Sequence, residues 1–252
     1  MPSTTPFEVR WLPTTTSTMD VAAALAADGA RHGTVVVADE QTSGRGRRGA
    51  TWASPPGAGL YLSFVARPSS TNLSLLTLAA GVGVREGIQA ATGLGPDLKW
   101  PNDLIVGRRK LAGILAEGIA IGAPGQSVII GAGINVMRAA YPPDVAARAT
   151  SLEDELGRVF DRHELLASVL TGLAHRLGQL DGNPGDILQA WRAMSPNAVG
   201  THVDWSGGSG VTAGIDDTGA LLIRTASGVE RVIAGELLWH LGTFGTPGTL
   251  EP

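Results

Sequence analysis

The sequence predicts an α+β fold, with helices packed on a mixed β-sheet and a small all-β unit at the end. Two patterns lead to that reading. Through the first three-quarters of the chain, β-branched apolar runs of strand length alternate with longer segments that carry apolar residues at helical spacing. Beyond residue 200 the texture changes to short alternating strands separated by Gly, Asp and Ser turns. At 252 residues the chain can bury such a core without disulfide or metal staples.

Residues 7–12 alternate like a strand and run into Thr14, Thr15, Thr16, Ser17 and Thr18, hydroxyls suited to capping a helix over 19–27 that Gly29 stops. The run TVVVADE at 34–40 is a strand of buried type, followed by a Gly- and Arg-rich loop over 42–49. A strand over 60–66 and a helix over 72–92 follow, the helix ended by Gly93 and Gly95. Three strand-like pieces come next, at 97–100, 103–106 and 110–117, with Gly107, Arg108 and Arg109 as the turn between the last two. The run SVIIGAGINV at 127–136 completes the sheet. Helices are predicted over 163–180 and 184–194, the second ending before Pro196. Short strands at 202–205, 211–215, 220–224 and 229–234 make a small barrel. The expected division is therefore 1–194, 195–242 and a Gly-, Thr- and Pro-rich tail at 243–252.

Composition removes whole classes of chemistry. With no cysteine there is no thiolate nucleophile, Cys-ligated zinc or iron–sulfur cluster, so nucleophiles and ligands must be oxygen or nitrogen. A net charge of -4 gives no global attraction to nucleic acid. The longest apolar stretches fall short of a membrane span and no signal-peptide layout opens the chain, which makes the cytoplasm the expected compartment. The five histidines, His32, His163, His175, His202 and His240, lack ligand spacing and read as structural or surface residues. Trp191, Trp205 and Trp239 read as core.

The segment Gly44-Arg45-Gly46-Arg47-Arg48-Gly49 interleaves three glycines with three arginines directly after a strand. Glycines let backbone N–H groups approach a ligand, and guanidinium forks bind phosphate or carboxylate oxygens in pairs, so the loop suits a polyanion. It lacks the Gly-Lys-Ser/Thr of a phosphate-binding P-loop and the spacing of a dinucleotide fingerprint. Taken alone it reads first as a solvated basic turn or a nucleic-acid contact, and its context is what shifts that reading. Lys99-Trp100-Pro101-Asn102-Asp103 and the run KLAGILAE at 110–117 lie on adjacent strands, where their ammonium, carboxamide and carboxylate groups could converge with the loop. Their bland readings are a strand-end salt bridge and core aromatic for Lys99 and Trp100, and a solvated hairpin charge for Lys110. No Ser-His-Asp relay is evident, which argues against a covalent acyl-enzyme.

With Glu40-Gln41-Thr42-Ser43, the arginine loop and Trp52, then KWPND at 99–103, KLAGILAE at 110–117, Ser17-Thr18 and GAGINV at 131–136, the chain resembles the biotin protein ligases, or holocarboxylase synthetases, in the right order over nearly its whole length. The resemblance implies a catalytic domain of class II synthetase and biotin ligase type with an SH3-like C-terminal domain. It implies activation of biotin with ATP and Mg2+ to biotinyl-AMP, then transfer to a lysine of the biotin carboxyl carrier protein or domain of an acyl-CoA carboxylase such as acetyl-CoA carboxylase.

Carried over by position, Ser17, Thr18 and Gln41 would hold the ureido head of biotin. Arg45, Gly46, Arg47 and Arg48 would close over biotin and the α-phosphate, with Arg45, Arg47 and Lys110 as the catalytic set. Gly113 would offer backbone groups to the biotin ring, and Trp52 would wall or stack on adenine. Asn102, Arg47, Arg48, Lys110 and Asn135 would contact the nucleotide, with Lys110 bridging the biotin carboxylate and the α-phosphate, and Asn102 and Asp103 would meet the phosphates or Mg2+. Where the family pattern is polar or basic, this chain has Met19 and Ala50. There is no room ahead of this region for a helix-turn-helix, so no repressor function or DNA partner is expected. A monomer or weak homodimer is expected. The alternatives are a lipoate or octanoate ligase of the same fold family, which would need an apolar acyl tunnel, and a non-catalytic anion- or RNA-binding module.

Overall fold

The computed structural model describes residues 7–68, 73–119, 126–139, 141, 143–235 and 237–241. The predicted tail at 243–252 lies outside these residues, as does the first position of the helix expected over 72–92. A seven-stranded mixed sheet and a five-stranded antiparallel sheet organise the chain.

The order of elements is β1 (Glu8–Thr15), α1 (Thr18–Ala27), β2 (Thr34–Gln41), β3 (Gly59–Ala66), α2 (Leu73–Thr92), β4 (Asp97–Lys99), β5 (Asp103–Val106), β6 (Arg109–Ile119) and β7 (Ser127–Asn135). Then come α3 (Pro143–Ala146), α4 (Leu152–Leu156), α5 (Arg162–Gln179) and α6 (Pro184–Ala193). Last are β8 (Val199–Trp205), β9 (Gly208–Ile215), β10 (Leu221–Thr225), β11 (Gly228–Val232) and β12 (Leu238–Trp239). The large sheet runs β1-β2-β3-β7-β6-β5-β4, with only β1 and β2 parallel; the small one runs β11-β10-β9-β8-β12.

The two-residue period of the strands sorts side chains onto two faces. Val35 and Val37 point into the main core, with Leu60, Leu62 and Phe64 from β3, against α2, α5 and α6. Val36, Val65 and Ile129 point the other way, onto Met19, Ala22 and Ala26 of α1. Ser17 caps α1, its Oγ accepting from the Met19 N–H at 3.3 Å, so one of the predicted hydroxyls takes that role. Thr14 and Thr15 instead belong to β1, which pairs with β2 as far as Gln41 and is longer than the alternation suggested.

Glycines set the helix packing. A Cβ at Gly87 of α2 would sit 2.5 Å from the Val169 Cα of α5, so the two helices meet backbone to backbone. The small sheet shares the main core through Val203, Ile215, Leu221 and Ile223. Trp100 joins the two sheets, donating from Nε1 to Gly219 O at 3.0 Å, and Ser195 Oγ donates to Leu98 O at 2.7 Å. Trp191 is 2% exposed, as a core residue should be. No helix among the described residues is long and apolar enough to cross a membrane.

Candidate active site

Helix α1 packs chiefly over β2 and β3. Over β6 and β7 the same face carries Gly113, Gly131 and Gly133, and a cavity of about 660 Å³ opens there. Every residue given a binding or catalytic role from the sequence borders this cavity, so groups up to 118 positions apart (Ser17 to Asn135) meet in one place.

One end is polar and closed. Gln41, at the end of β2, accepts through Oε1 from the Thr18 N–H at 2.9 Å and the Thr18 hydroxyl at 3.1 Å. Its Nε2 donates to Ser54 Oγ at 2.8 Å. Ser63, the only serine of the buried stretch GLYLSF, donates to Thr18 Oγ1 at 2.8 Å. Ser17, Thr18 and Ser63 are almost fully buried. Such a network is stable only when its members are satisfied, each bond being worth roughly 1 kcal/mol net. Its remaining lone pairs and protons suit a compact polar head.

The middle is cationic. Lys110 Nζ lies 2.6 Å from Asp103 Oδ1, and Lys99 Nζ lies 3.6 Å from Asp103 Oδ2, so one carboxylate holds two ammonium groups. Lys110 is placed by the β5–β6 hairpin, where Gly107 takes the positive φ of 60° that the turn requires. Arg47 Nη1 donates to Asn102 Oδ1 at 3.4 Å, and Asn102 Nδ2 donates to Ile114 O at 2.7 Å, which ties the arginine loop to β6. The loop is a closed turn, with Gly46 N donating to Ala50 O at 2.7 Å and Trp52 N to Gly44 O at 2.9 Å. Arg48 sits at φ 56°, a left-handed conformation that side chains adopt at some cost, as a tight functional turn can impose. Arg45 borders the cavity, but its Nη2 is held by Asp20 at 3.1 Å and Glu117 at 2.9 Å, which fastens the loop to α1 and β6. Among the described lining residues seven are Lys or Arg and one is Asp, a strong local positive potential in a chain of net charge -4.

Asn135 is committed to the protein. Its Nδ2 donates to Thr150 O at 2.9 Å and Lys110 O at 3.4 Å, and its Oδ1 accepts from the Tyr141 hydroxyl at 3.2 Å. Burial, helped by the charge of Asp154, pushes the Tyr141 phenol above its ordinary value and keeps it a donor. Trp52 rests on the glycine floor, 5.2 Å from Lys110 Nζ to its ring centroid. Its Nε1 is buried with no acceptor among the described residues.

Sequence reasoning missed Tyr141, Arg108 and Arg148 as lining residues, and Ser54 and Ser63 as the hydrogen-bond partners of Gln41 and Thr18. A lone serine in an apolar strand was the available signal for Ser63; the others depend on loop paths that no periodicity encodes. Trp239, read as core, packs against it but also lines the cavity, 6.0 Å from Lys99 Nζ. It is carried there by β12, too short to register as a strand.

Asn102 and Asp103 do not fit direct ligation of Mg2+. Both Asp103 oxygens face ammonium groups, and Asn102 Oδ1 faces Arg47, so no pair of free oxygens converges on a common point. Among the described residues no cluster of three His, Asp or Glu could hold a metal ion.

Relatives decide among the chemistries this cavity allows. A model described as the biotin/lipoate A/B protein ligase family matches residues 11–135, and one described as the biotin protein ligase C-terminal domain matches 200–237. A bifunctional ligase/repressor of Bacillus spizizenii is 35% identical over 230 residues, 88% of this chain and 70% of that protein. The chain belongs to the biotin protein ligase family. A biotin--[acetyl-CoA-carboxylase] ligase of Mycobacterium tuberculosis is 34% identical over 220 residues, 83% of this chain and 79% of its own length. The biotin protein ligase of Aquifex aeolicus, solved with biotin and ATP, superimposes with a TM-score of 0.81 at 30% identity, covering 93% of this chain and 99% of that one. Both family segments therefore fall on the two sheets, and the first carries Gln41, the arginine loop, Lys110 and Asn135.

Proposed function

We propose that this chain activates biotin with ATP and transfers the biotinyl group to a lysine of a carboxylase carrier domain. The observation that carries the reading is the joining, in one cavity, of a closed polar end at Ser17, Thr18 and Gln41 to a cationic centre at Lys110 and Arg47. Ser17, Thr18 and Gln41 bind the ureido head, and Gly46 and Gly113 line the ring site with backbone. Arg45 fastens the arginine loop through Asp20 and Glu117, while Arg47 and Arg48 meet the α-phosphate. Asn102 and Asn135 position the nucleotide side, Asn135 by holding the Lys110 backbone. The catalytic unit spans 1–194 and the C-terminal unit 195–242, the latter closing one wall of the cavity with Trp239.

A biotin carboxylate oxygen attacks the α-phosphorus of ATP, a P–O bond forms, and pyrophosphate leaves. Two anions approach in this step, so fixed cations at the meeting point lower the barrier, and Lys110 and Arg47 supply them. Mg2+ would arrive as the ATP complex, charge-neutralising the departing phosphates through phosphate and water oxygens. The carrier lysine amine then attacks the acyl carbon, and AMP leaves as the amide forms. The arginine loop excludes water from the mixed anhydride in the interval.

A lipoate or octanoate ligase needs an apolar tunnel, whereas this cavity ends in hydroxyls and a carboxamide. The test incubates the chain with ATP, Mg2+ and a carrier domain, adding biotin, lipoate or octanoate in parallel and measuring carrier mass. Biotin alone should add its acyl mass to the carrier. Modification by lipoate or octanoate alone would select the runner-up, and none at all would favour an anion-binding module.

A further inference from the structure

Helix α1 rests on the sheet through a second apolar cluster of six buried side chains, Met19, Ala22, Ala26, Val36, Val65 and Ile129. Of these six, Met19 alone also lines the cavity. Alternate residues of β7 mark the boundary on which it stands. Ile129 belongs to the cluster, Gly131 lies under Met19, and Gly133 is cavity floor. A Cβ at Gly131 would lie 2.6 Å from the Met19 Sδ and 3.3 Å from its Cγ, so the thioether is seated on bare backbone. Leu115, the partner of Gly131 on β6, borders both the cluster and the cavity beside it.

The backbone holds Met19 in that seat. Its N–H donates to Ser17 Oγ at 3.3 Å, and the preceding Thr18 N–H donates to Gln41 Oε1 at 2.9 Å. Met19 therefore stands beside the groups assigned to the ureido head. Where the family pattern is polar, its thioether fills space and offers only a weak acceptor. Behind it lies the rest of the cluster, with Ala22, Val36 and Ile129 fully buried. Ser63, opposite Gly131 on β3, turns its hydroxyl to Thr18 Oγ1 and leaves that layer apolar.

We propose that Met19 is a specificity-determining residue: seated on Gly131, it plugs the acid site against the apolar layer under α1, and without it that layer becomes a tunnel for linear acids. This rests on the biotin-activating reading above. Biotin ends in a compact polar head that Ser17, Thr18 and Gln41 satisfy, so room beyond Met19 adds nothing to its binding. A linear acid with its carboxylate at Lys110 ends its tail against those same hydroxyls and carboxamide, or against Met19. Removing the thioether gives that tail alone an apolar place to go, and each further methylene buried there strengthens binding about 4-fold. The gain belongs to one acid and not the other, so it appears directly in their selectivity ratio.

The experiment measures, by calorimetry on the full chain without ATP, the Kd of biotin and of linear acids from hexanoate to dodecanoate for the natural protein, Met19→Ala and the volume-conserving Met19→Leu. In the natural protein affinity should stop rising with chain length once the tail reaches Met19, a readout that needs no variant. In Met19→Ala it should go on rising, with decanoate at least about 10-fold tighter than in the natural protein and biotin no tighter. Met19→Leu should keep the natural pattern. Affinity that climbs through dodecanoate in the natural protein, no gain for decanoate in Met19→Ala, an equal gain in Met19→Leu, or no binding of any linear acid by any form would each overturn the proposal. If biotin binds the natural protein and any of these occurs, the plug falls alone; if biotin does not bind, the activity reading falls and the plug with it.

Discussion

Asp103 illustrates what a motif read as letters leaves open. The string KWPND identified the position, and a metal ligand was the natural role for its carboxylate, but strand pairing brings Lys110 to 2.6 Å and Lys99 to 3.6 Å and turns it into the holder of two ammonium groups. Asp103→Asn should lower the rate of biotin-dependent pyrophosphate exchange about 10- to 100-fold, the scale of a misplaced catalytic group, without raising the Mg2+ concentration needed for half-maximal rate. A raised Mg2+ requirement would restore the metal-ligand role. That Lys110, Arg47 and Gln41 would come together was legible in the motifs that carry them, and all three line the cavity. Ser63 and Tyr141 were not, because a hydroxyl's partner depends on sheet register and on the path of a loop.

Among the elements, long periodic segments were legible and short ones were not. The expected helix over 163–180 is α5 at Arg162–Gln179, started by Asp161, whose Oδ1 accepts from the His163 N–H at 2.6 Å. By contrast α4 has five residues and β12 two, too few for a period to show, and both owe their existence to caps and neighbours rather than to propensity. The close approach of α2 and α5 was also hidden, although its cause is simple. A Cβ at Gly172 would press on Gly83 O and lie 3.3 Å from Gly87 N, whereas one at Gly178 on the same helix meets nothing within 4 Å. Gly172→Ala should therefore destabilise by about 1–3 kcal/mol despite the better helix propensity of alanine. Gly178→Ala should stabilise by up to about 1 kcal/mol. Urea midpoints at unchanged slope would measure both, and equal effects would contradict the packing account.

For the whole molecule, the change of texture near residue 200 located the second sheet, but nothing in composition revealed that Trp100 would bond its β9–β10 turn at Gly219. That sheet also carries a pH-sensitive contact. Burial pushes the Asp216 carboxyl up, but hydrogen bonds from Arg231, from the Thr218 hydroxyl and N–H, and from the Ala220 N–H outweigh it and hold the group at about 2. Its folded value is below the ordinary 3.8, so its contribution is present above about pH 4 and is lost as pH falls toward 2. Asp216→Asn should flatten the acid limb of the stability curve by on the order of 1 kcal/mol after solvent screening, seen as a smaller difference in urea midpoint between pH 4 and pH 2.

All of this turns on whether the cations gathered over the glycine floor perform an adenylation. The direct measurement is exchange of labelled pyrophosphate into ATP by the chain with Mg2+, with and without biotin, beside Lys110→Ala checked for an unchanged circular dichroism spectrum. Exchange that requires biotin and falls at least about 1,000-fold in Lys110→Ala is the predicted result, the loss expected when a fixed charge leaves a transition state. Exchange that persists in Lys110→Ala, or that proceeds equally without biotin, would contradict the account.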